Sequence, residues 1–460
     1  MLLGLPWLNS RRRLLVALLV DSVLFALLYT AFFLGRFGVW PGWNLPLGGL
    51  LGFWLIGSYV IGRYYDAQEM RSGAAIKQAI RTLMSLMLSI GVFLAWLWLT
   101  ASPGLAQTSR GFMVPMLLMF ALSSGLLQQG VNRLLEGRFR NKELWLVLGQ
   151  VGFQRQLHQE LGWSRLEARL QPVDLSHAAW PDLSQGGPTG LVVESFEALE
   201  PQQVQTLLHW QSRGLTVFSP VGWCEMVLQR FPPGLVHSQD LLRGQFTAPQ
   251  GSIQKRWKRF GDVLVSGVLL WSTALLLLAA ALLIKLEDGG PVFYGQWRSG
   301  LDGEPFKVWK LRSMRVDAEQ AGVQWSGRGD PRITRIGHLL RVTRIDELPQ
   351  LWAVLTGTMS LIGPRPERPE IEEELERQIP HYRLRHLIRP GLSGWAQVNY
   401  PYGASLEDAV NKLSYDLYYI RNTSFWIDLL ILFKTMRLVF NARGAVAQGQ
   451  QPSQPAARST

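Results

Sequence analysis

LLVALLVDSVLFALLYTAFFLG, residues 14–35, is an apolar stretch with a single charged residue, and its length matches the hydrocarbon core of a bilayer. Three further stretches of this kind follow at 45–62, 82–100 and 112–130. The composition agrees, since 48% of the 460 residues are hydrophobic and only 17% are charged. The sequence therefore predicts a membrane protein whose N-terminal region is a bundle of four transmembrane helices.

Positive charge is divided unevenly among the loops of this bundle. The loops that connect the first helix to the second and the third to the fourth carry only Arg36 and Arg110. The remaining basic residues precede the first helix, separate the second from the third, or follow the fourth: Arg11, Arg12, Arg13, Arg63, Arg71, Lys77, Arg81, Arg133, Arg138, Arg140 and Lys142. The positive-inside rule then places the N-terminus and everything after residue 142 in the cytoplasm. Asp21, inside the first helix, is either a functional polar site or, as we expect, faces a neighbouring helix or the headgroups.

Charge also separates the chain into three parts. Residues 1–142 carry a net charge of +9, residues 143–250 carry −4 and residues 251–460 carry +7. Basic ends fit a chain held against an anionic cytoplasmic leaflet, so membrane lipids are expected partners. Nucleic acid is not expected, because the chain has no recognisable nucleic-acid-binding motif. The single cysteine, Cys224, excludes an intramolecular disulfide and a cysteine-based zinc site.

Residues 143–250 alternate short apolar runs with helix-like stretches, which predicts a small, degenerate Rossmann-like α/β domain. After its first strand comes Gly149-Gln150-Val151-Gly152, in place of the spaced three-glycine turn that approaches a pyrophosphate. This region also contains no Tyr and no Lys, so it holds no proton relay of the short-chain dehydrogenase type. We interpret it as a structural or regulatory spacer.

Two further apolar segments lie in the C-terminal part. The run 263–284 follows the basic cluster KRWKR at 255–259, and we expect a re-entrant helix there, with a full crossing as the alternative. Such a helix needs a break, for which the candidates are Ser266, Gly267, Ser272 and Thr273. Residues 423–440 are predicted to lie along the membrane surface, with a buried core helix as the alternative. The tail after Arg443 is of low complexity and predicted to be disordered.

The stretch TRIDELPQLWAV, residues 343–354, places two carboxylates side by side before a proline-led apolar run. Pro349 fits only the first turn of a helix, so we expect a helix from Asp346 through Leu355. Unpaired N–H groups at its amino end stabilise negative charge, whether of a carboxylate or of a bound phosphate. Capping alone also explains an Asp-Glu pair at such a position.

Cations near this pair favour a functional role. In Gly363-Pro364-Arg365-Pro366 the arginine lies between two residues of fixed φ, and arginine binds phosphate oxygens in pairs. Arg341 precedes Asp346 by five residues. Strand alternation in VWKLRSM puts Lys310 and Arg312 on one face. Together these residues predict a phosphate site with a metal ion.

At these residues the sequence resembles the polyisoprenyl-phosphate hexose-1-phosphate transferases, or bacterial sugar transferases. Six segments between about 255 and 440 follow that family's order and spacing: KRWKRFGDVLVSG, IKLEDGGPVFYGQWRSG, FKVWKLRSM, RITRIGHLLRVTRIDELPQLWAVLTGTMSLIGPRP, RPGLSGWAQVN and DLYYI. Two positions depart from it, since Ser272-Thr273 stands where Ser-Pro is usual and Arg344-Ile345 where Ser-Leu is usual. The four preceding helices and the α/β unit are similar to the larger members.

The resemblance implies four regions. They are a four-helix transmembrane region (1–142), the α/β domain (143–250), a mainly α, α+β monotopic transferase domain embedded in the membrane through its re-entrant helix (251–443), and the tail (444–460). It implies a multi-pass protein of the bacterial inner membrane with its catalytic domain on the cytoplasmic face. The oligomeric state stays open, with a homodimer as one option.

The resemblance also implies an activity: transfer of a sugar-1-phosphate from a UDP-sugar to undecaprenyl phosphate, releasing UMP, as the first step of exopolysaccharide, O-antigen or capsule assembly. Asp346 would be the nucleophile and Glu347 the ligand of Mg²⁺, in a ping-pong mechanism with a covalent intermediate. The phosphate and substrate site would draw on Arg341, Arg365, Lys310, Arg312 and Pro364. Gly391, Trp395 and Gln397 are candidates for a nucleotide-sugar pocket or for turn and core roles, and Asp416 and Tyr419 are candidates for supporting the site.

Other functional classes remain as alternatives. One is a non-catalytic membrane scaffold or regulator of polysaccharide assembly. A second is an oxidoreductase built on the central domain, and a third is a flippase or polymerase. Glucose and galactose are not distinguished by any motif in this sequence.

Overall fold

A computed structural model describes residues 11–42, 45–64, 74–100, 110–139, 143–163, 168–174, 188–236, 241, 246, 252–318, 330–400, 403 and 405–440. The chain forms two compact units. The first contains residues 1–144 with the short pieces 167–169 and 181–189, and the second contains the rest. Most of the α/β region thus falls in the same compact unit as the C-terminal region. The tail 444–460, predicted to be disordered, lies outside the described residues.

The first unit contains the four predicted helices: α1 Arg12–Phe37, α2 Leu45–Ile61, α3 Ala74–Thr100 and α4 Arg110–Phe139. Helices α1, α3 and α4 are long and apolar enough to cross a membrane, whereas the apolar part of α2 is shorter. Aromatic side chains fill the interior, as in the edge-to-face contact of Phe25 with Phe120 at 5.2 Å. Leucines such as Leu19 and Leu126 face outward and are well exposed. Helices that are apolar on every side fit a lipid environment.

Asp21 faces neighbouring helices, as predicted, and lies in a buried polar network. Its carboxylate forms an ion pair with Arg63, two residues beyond α2, at 2.7 Å. Trp54 and Tyr64 donate hydrogen bonds to the same oxygen at 2.9 and 2.6 Å. The other oxygen accepts from α4 through Ser124 and Gln128. Since both oxygens are satisfied, this carboxylate connects α1 with the region after α2 and with α4.

The second unit begins with a four-stranded sheet of order β2-β1-β3-β4, in which β1, β3 and β4 are parallel. Parallel strands that alternate with helices give this region an α/β architecture. Its elements are β1 Glu143–Leu148, α5 Val151–Trp163, β2 Ala168–Pro172, β3 Gly190–Val193, α6 Pro201–Ser212, β4 Thr216–Phe218, α7 Pro220–Trp223, a π-helical turn Cys224–Leu228 and a 3-10 turn Pro233–Leu235.

The turn between β1 and α5 is closed by a side chain of the protein itself. Glu194, directly after β3, accepts the backbone N–H of Gln150 at 2.7 Å. Its carboxylate also lies so near Gly149 that a Cβ there would be 2.6 Å from Glu194 Oε2. In dinucleotide-binding folds a pyrophosphate occupies this position. A fixed carboxylate repels such an anion, which disfavours the oxidoreductase alternative.

The apolar run 263–284 forms the middle of α8, Ser252–Asp288, a continuous helix of 37 residues. The predicted break at Ser266, Gly267, Ser272 or Thr273 is wrong. Both hydroxyls of the Ser272-Thr273 pair instead donate to the carbonyl of Leu269 inside the intact helix. Without a proline between 261 and 286, every backbone N–H in the segment can continue the helical ladder.

The rest of the unit packs against α8 and contains two small sheets. The hairpin β5–β6 is antiparallel, whereas β7 and β8 are parallel and short. The predicted segment 423–440 is a helix from residue 425 onward, in which Ile427 and Ile431 are fully buried while the apolar Phe425 and Trp426 are exposed. The elements are β5 Phe293–Ser299, a 3-10 turn Leu301–Gly303, β6 Pro305–Leu311, α9 Arg335–Thr343, a 3-10 helix Ile345–Gln350, α10 Leu351–Thr356, β7 Ser360–Ile362, α11 Pro369–Gln378, a 3-10 helix Tyr382–Leu387, β8 Gly391–Ser393, α12 Trp395–Asn399, α13 Leu406–Arg421 and α14 Phe425–Phe440.

Candidate active site

Asp346 and Glu347 lie in the first turn of a short helix, close to where the sequence places them. This turn is a 3-10 helix that begins at Ile345, and α-helical geometry begins only at Leu351. Arg344, in the left-handed conformation with φ 60°, ends α9 and turns the chain into the 3-10 helix. The tight turn holds both carboxylates against β6, and the Asp346 side chain is buried.

Glu347 is held by cations from three elements. Arg365 donates to its Oε1 at 2.6 Å, and Lys310 of β6 donates to the same oxygen at 3.2 Å. Arg344 lies 3.6 Å from Oε2. Burial alone raises the pKa of this carboxyl, but the three positive charges outweigh burial and hold the pKa well below its usual range. Glu347 is therefore a permanent anion at neutral pH.

Asp346 has the opposite electrostatic character. Burial and the neighbouring charge of Glu347 raise its pKa to about 6, although Lys310, Arg344 and Arg341 act in the lowering direction. Its Oδ1 atom is buried and has no hydrogen-bond partner. A buried acceptor without a partner is uncommon and costs free energy, so it is a candidate for contact with a ligand. Two adjacent carboxylates thus differ in protonation behaviour, which is typical of catalytic pairs.

The loop that carries Arg365 is fixed by close backbone contacts. Gly363 N–H donates to the carbonyl of Ser393 at 2.8 Å, and Gly391 N–H donates to that of Pro364 at 2.8 Å. A Cβ on Gly391 would lie 2.0 Å from the Gly363 nitrogen, so only glycine fits there. Pro364 therefore contributes a carbonyl to the loop, and Gly391 serves the close approach of β8 rather than a pocket.

The structure brings together some of the predicted cations and separates another. Arg341, in the last turn of α9, donates from Nε to the hydroxyl of Ser313 at 2.9 Å and lies close enough to influence the pKa of Asp346. Lys310 reaches Glu347, as described above. Arg312 lies just beyond the end of β6 and pairs with Asp288 at the end of α8, so it does not join the carboxylate pair. Because the strand ends at Leu311, the alternation that would put Lys310 and Arg312 on one face does not extend to Arg312, and the two side chains have different partners.

Trp395 and Gln397 lie on α12, in the interior. Trp395 is buried, stacks on Tyr418 at 5.7 Å, and donates from Nε1 to the carbonyl of Gln229 at 3.0 Å. Gln397 donates to the carbonyl of Leu392 at 3.2 Å, while its Oε1 is buried without a partner. Trp395 therefore has the core role that was the alternative to a nucleotide-sugar pocket.

Sequence reasoning missed two residues that support the site. Arg385 is buried, and it donates to the carbonyl of Arg365 at 2.7 Å and to Asp416 at 3.2 Å. Lys258 of α8 donates to the carbonyl of Ile362 and to Asp428. Neither position stands out in the sequence, because both belong to clusters of basic residues. Burial raises the pKa of Asp416 to about 6. Tyr419 donates a hydrogen bond to Asp428 at 2.5 Å, and a supporting role for these two residues stays a prediction.

The carboxylate pair fits a magnesium ion that draws most of its ligands from substrate. No group of three or more His, Cys, Asp or Glu side chains that could hold a metal occurs among the described residues. Mg²⁺ typically needs only one or two protein carboxylates, together with phosphate oxygens and water. Oε2 of Glu347 lies 3.6 Å from Arg344, and the buried Oδ1 of Asp346 has no hydrogen-bond partner. These oxygen atoms suit a hard cation.

Comparison with known proteins shows the family of this chain. A family model described as bacterial sugar transferase matches residues 253–442. A UDP-glucose:undecaprenyl-phosphate glucose-1-phosphate transferase of Caulobacter vibrioides is 44% identical over 181 residues, which are 39% of this chain and 68% of that protein. The chain belongs to the bacterial sugar transferase family.

Other members of the family are similar over a comparable length. A UDP-N-acetylgalactosamine-undecaprenyl-phosphate N-acetylgalactosaminephosphotransferase of Aeromonas hydrophila is 47% identical over 188 residues, 41% of this chain and 44% of that protein. A UDP-glucose:undecaprenyl-phosphate glucose-1-phosphate transferase of Escherichia coli is 40% identical over 193 residues, 42% of each chain. The match thus spans less than half the length of these two transferases.

Proposed function

We propose that this protein transfers a hexose-1-phosphate from a UDP-sugar to undecaprenyl phosphate, yielding undecaprenyl-diphosphate-sugar and UMP as the first step of polysaccharide assembly. The names of its relatives describe transferases of this kind. The observation that carries the proposal is the pair Asp346 and Glu347, in which one carboxylate is held by three cations while the other has a buried oxygen without a partner.

The chemistry follows from Asp346 as nucleophile. An Asp346 oxygen attacks the phosphorus that bears the sugar, the bond from that phosphorus to the UMP oxygen breaks, and UMP leaves with the electron pair. A phosphate oxygen of undecaprenyl phosphate then attacks the same phosphorus and releases the Asp346 carboxylate. The covalent intermediate divides one transfer into two steps, so ping-pong kinetics are expected. Arg341 and Arg365 would bind the phosphate oxygens through pairs of guanidinium N–H groups, and Lys310 would bind them through its ammonium group.

The pKa of Asp346 suits both steps. A carboxyl with a pKa of about 6 is mostly ionised at neutral pH and can attack phosphorus. Glu347 and the oxygens near it would hold Mg²⁺, which when bound neutralises charge on the transferring phosphate. Glu347 itself remains ionised, because its pKa is held well below the ordinary range. The two carboxylates can therefore serve different roles at one pH.

The contacts of α8 support a membrane arrangement in which both ends of this helix lie on the cytoplasmic side. Near its start, Asp262 accepts from Ser360 and from the backbone of Leu361. Near its end, Asp288 pairs with Arg312. Both partners belong to the same charged domain, which a crossing helix would have to carry through hydrocarbon. The exposed side of α8 between these ends is apolar and would face lipid: Trp271, Leu275, Leu278 and Leu282.

The decisive experiment traps the intermediate. Purified protein with Mg²⁺ and a UDP-sugar labelled with ³²P in the sugar-linked phosphate should acquire label on Asp346 and release UMP, and addition of undecaprenyl phosphate should then move the label to lipid. Asp346→Asn should lose both steps, with turnover falling at least about 1,000-fold because the nucleophile is gone. Asp317→Asn is the matched control, since Asp317 is an exposed carboxylate in the same unit.

The outcomes separate the alternatives. Unchanged turnover in Asp346→Asn would reject the nucleophile assignment, and no lipid-linked product from the wild-type protein with any UDP-sugar would favour a scaffold. The donor sugar is to be found in the same assay, because the relatives are named for glucose, galactose and N-acetylgalactosamine. A panel of these UDP-sugars, measured as UMP release, identifies the donor.

A further inference from the structure

The α/β region is joined to the C-terminal region by a hydrogen-bonded segment, residues 225–231, which we name the connecting segment; its Leu228, Arg230 and Phe231 are buried. Its Phe231 N–H donates to the carbonyl of Ser414 on α13 at 2.8 Å. The carbonyl of Gln229, a non-glycine residue with φ 53°, accepts the indole N–H of Trp395. Backbone contacts of this kind resemble the interior of one domain more than a loose contact between two.

Arg230 is the centre of this segment, and its side chain is almost fully buried. It donates to Asn411 of α13 at 3.1 Å and to the carbonyl of Glu160 on α5 at 2.9 Å. Its guanidinium also forms an ion pair with the Glu160 carboxylate at 2.7 Å. One planar side chain therefore ties a helix of the α/β region to α13 in fixed geometry, which lysine could not reproduce.

Helix α13 continues from this contact to the back of the candidate site. Asp416 lies between Ser414 and Tyr418, which both meet the connecting segment. Asp416 holds Arg385, and Arg385 donates to the carbonyl of Arg365. The side chain of Arg365 in turn holds Glu347 at 2.6 Å.

A second route reaches the same loop. Trp395, which donates to the connecting segment, begins α12 two residues after β8 ends. Strand β8 holds the loop that carries Arg365 through two hydrogen bonds. Gly391 N–H donates to the carbonyl of Pro364, and the carbonyl of Ser393 accepts from Gly363 N–H. The loop is thus fixed from two sides by elements that both contact the connecting segment.

We propose that the connecting segment braces the Arg365 loop, so that Arg230 is a positioning residue for phosphate binding and the α/β region serves as a fixed support of the active site. This inference rests on the proposed function for the role of Arg365. In this role the α/β region supports the active site without binding a nucleotide.

The test compares Arg230→Ala with Arg155→Ala in the full-length protein. Arg155 is exposed on α5, the helix that also carries Glu160, and serves as the control. Loss of the brace should raise KM for the UDP-sugar about tenfold while kcat changes less than about threefold, because a misplaced Arg365 mainly weakens phosphate binding. Arg155→Ala should change neither.

A double-mutant cycle decides whether the effect passes through Arg365. In an Arg365→Ala background, Arg230→Ala should raise KM less than about twofold further, because the group that it positions is already absent. Full additivity would overturn the brace. So would an Arg230→Ala protein with a lower melting temperature but an unchanged KM, since that is the result of a merely structural role.

Amide hydrogen exchange gives a readout that does not depend on turnover. Exchange at Gly363 and Gly391 should accelerate in Arg230→Ala and stay unchanged in Arg155→Ala. If the wild-type protein has no transferase activity but this exchange difference appears, the proposed function fails and the brace stands. If the wild type is active and both KM and exchange are unchanged, the brace fails alone. Should Arg230→Ala not fold, Trp395→Phe, which removes the donor to Gln229 and keeps an aromatic ring against Tyr418, is measured in its place.

Discussion

Lys310 of strand β6 and Arg365 of the loop after β7 donate to one and the same oxygen of Glu347. Arg344 approaches the other oxygen. Three cations around one carboxylate leave the site positively charged even when Asp346 is ionised. An anionic diphosphate is attracted to such a site, and the low pKa of Glu347 shows how strongly the same cations act on a resident anion.

Replacing Lys310 by Met should move the acid limb of the pH–rate profile to higher pH. The positive charge of Lys310 acts to lower the pKa of Asp346, so its removal raises that pKa and leaves less ionised nucleophile at a given pH. The measurement is kcat/KM for the UDP-sugar between pH 5 and 9. Lys307→Met is the control, because Lys307 lies on the other face of β6, 4.6 Å from the ring of Trp309. An acid limb that stays in place would contradict the assigned electrostatics.

Asp346→Asn should stabilise the fold while it abolishes turnover. The folded-state pKa of Asp346 is raised from 3.8 to about 6, so its ionisation opposes folding, and this penalty grows as pH rises from about 4 to 6 and is constant above. Removing the charge should add up to about 3 kcal/mol to the free energy of unfolding at pH 8 and almost nothing at pH 4. Thermal unfolding in EDTA at both pH values measures this. Equal stability of variant and wild type at pH 8 would show that the carboxylate is not destabilised.

Gly391→Ala should disrupt the pairing of β7 with β8. The new Cβ would lie 2.0 Å from the nitrogen of Gly363, and backbone atoms cannot move aside as a side chain can. We expect a loss of at least about 3 kcal/mol in stability, at the high end for single substitutions, together with loss of activity. Gly267→Ala, in the interior of α8 with no neighbouring atom within 4 Å, is the control. A normal melting temperature for Gly391→Ala would mean that the two strands approach less closely.

Cysteine labelling tests the arrangement of α8. Cys224 is the only cysteine of the chain, so Cys224→Ser provides a background for single reporters. Lys255→Cys, in the first turns of α8, and Glu304→Cys, directly before β6, should react from the same cytoplasmic side. Trp40→Cys, between α1 and α2, should react with an impermeant maleimide from the opposite side. Labelling of Lys255→Cys and Glu304→Cys from different sides would establish a full crossing.

The sequence contained the main parts of the candidate site because those parts are local. Asp346 and Glu347 are neighbours in the chain, and Arg365 is fixed by the prolines on either side of it. The apolar helices could also be predicted from the sequence, because the length and composition of a segment determine whether it can cross a membrane. The tight 3-10 start of the helix at Ile345 was not, because a change of one hydrogen-bond register leaves no trace in the residue pattern.

Long-range pairing explains the rest. Whether Arg312 turns to the carboxylates or to Asp288 depends on where the end of α8 lies, and strand alternation says nothing about that. The importance of Arg385 arises from contacts with α11 and α13, which are remote in the chain. Trp395 was ambiguous for the same reason, because its partner Gln229 lies in another region. The predicted break in α8 failed because glycine and hydroxyl side chains permit a break in a helix but do not force one, and the chain has no proline between 261 and 286.

The ion pair between Asp21 and Arg63 has a consequence for how the N-terminal bundle is made. A newly synthesised α1 that left the translocon alone would carry the unpaired carboxylate of Asp21 into lipid. If α1 and α2 are released together, Asp21 can enter already paired with Arg63. We therefore expect these two helices to insert as a hairpin, with α4 joining afterwards to supply Ser124 and Gln128. Membrane insertion of this protein would then depend on the order in which its helices associate, and not only on the hydrophobicity of each helix.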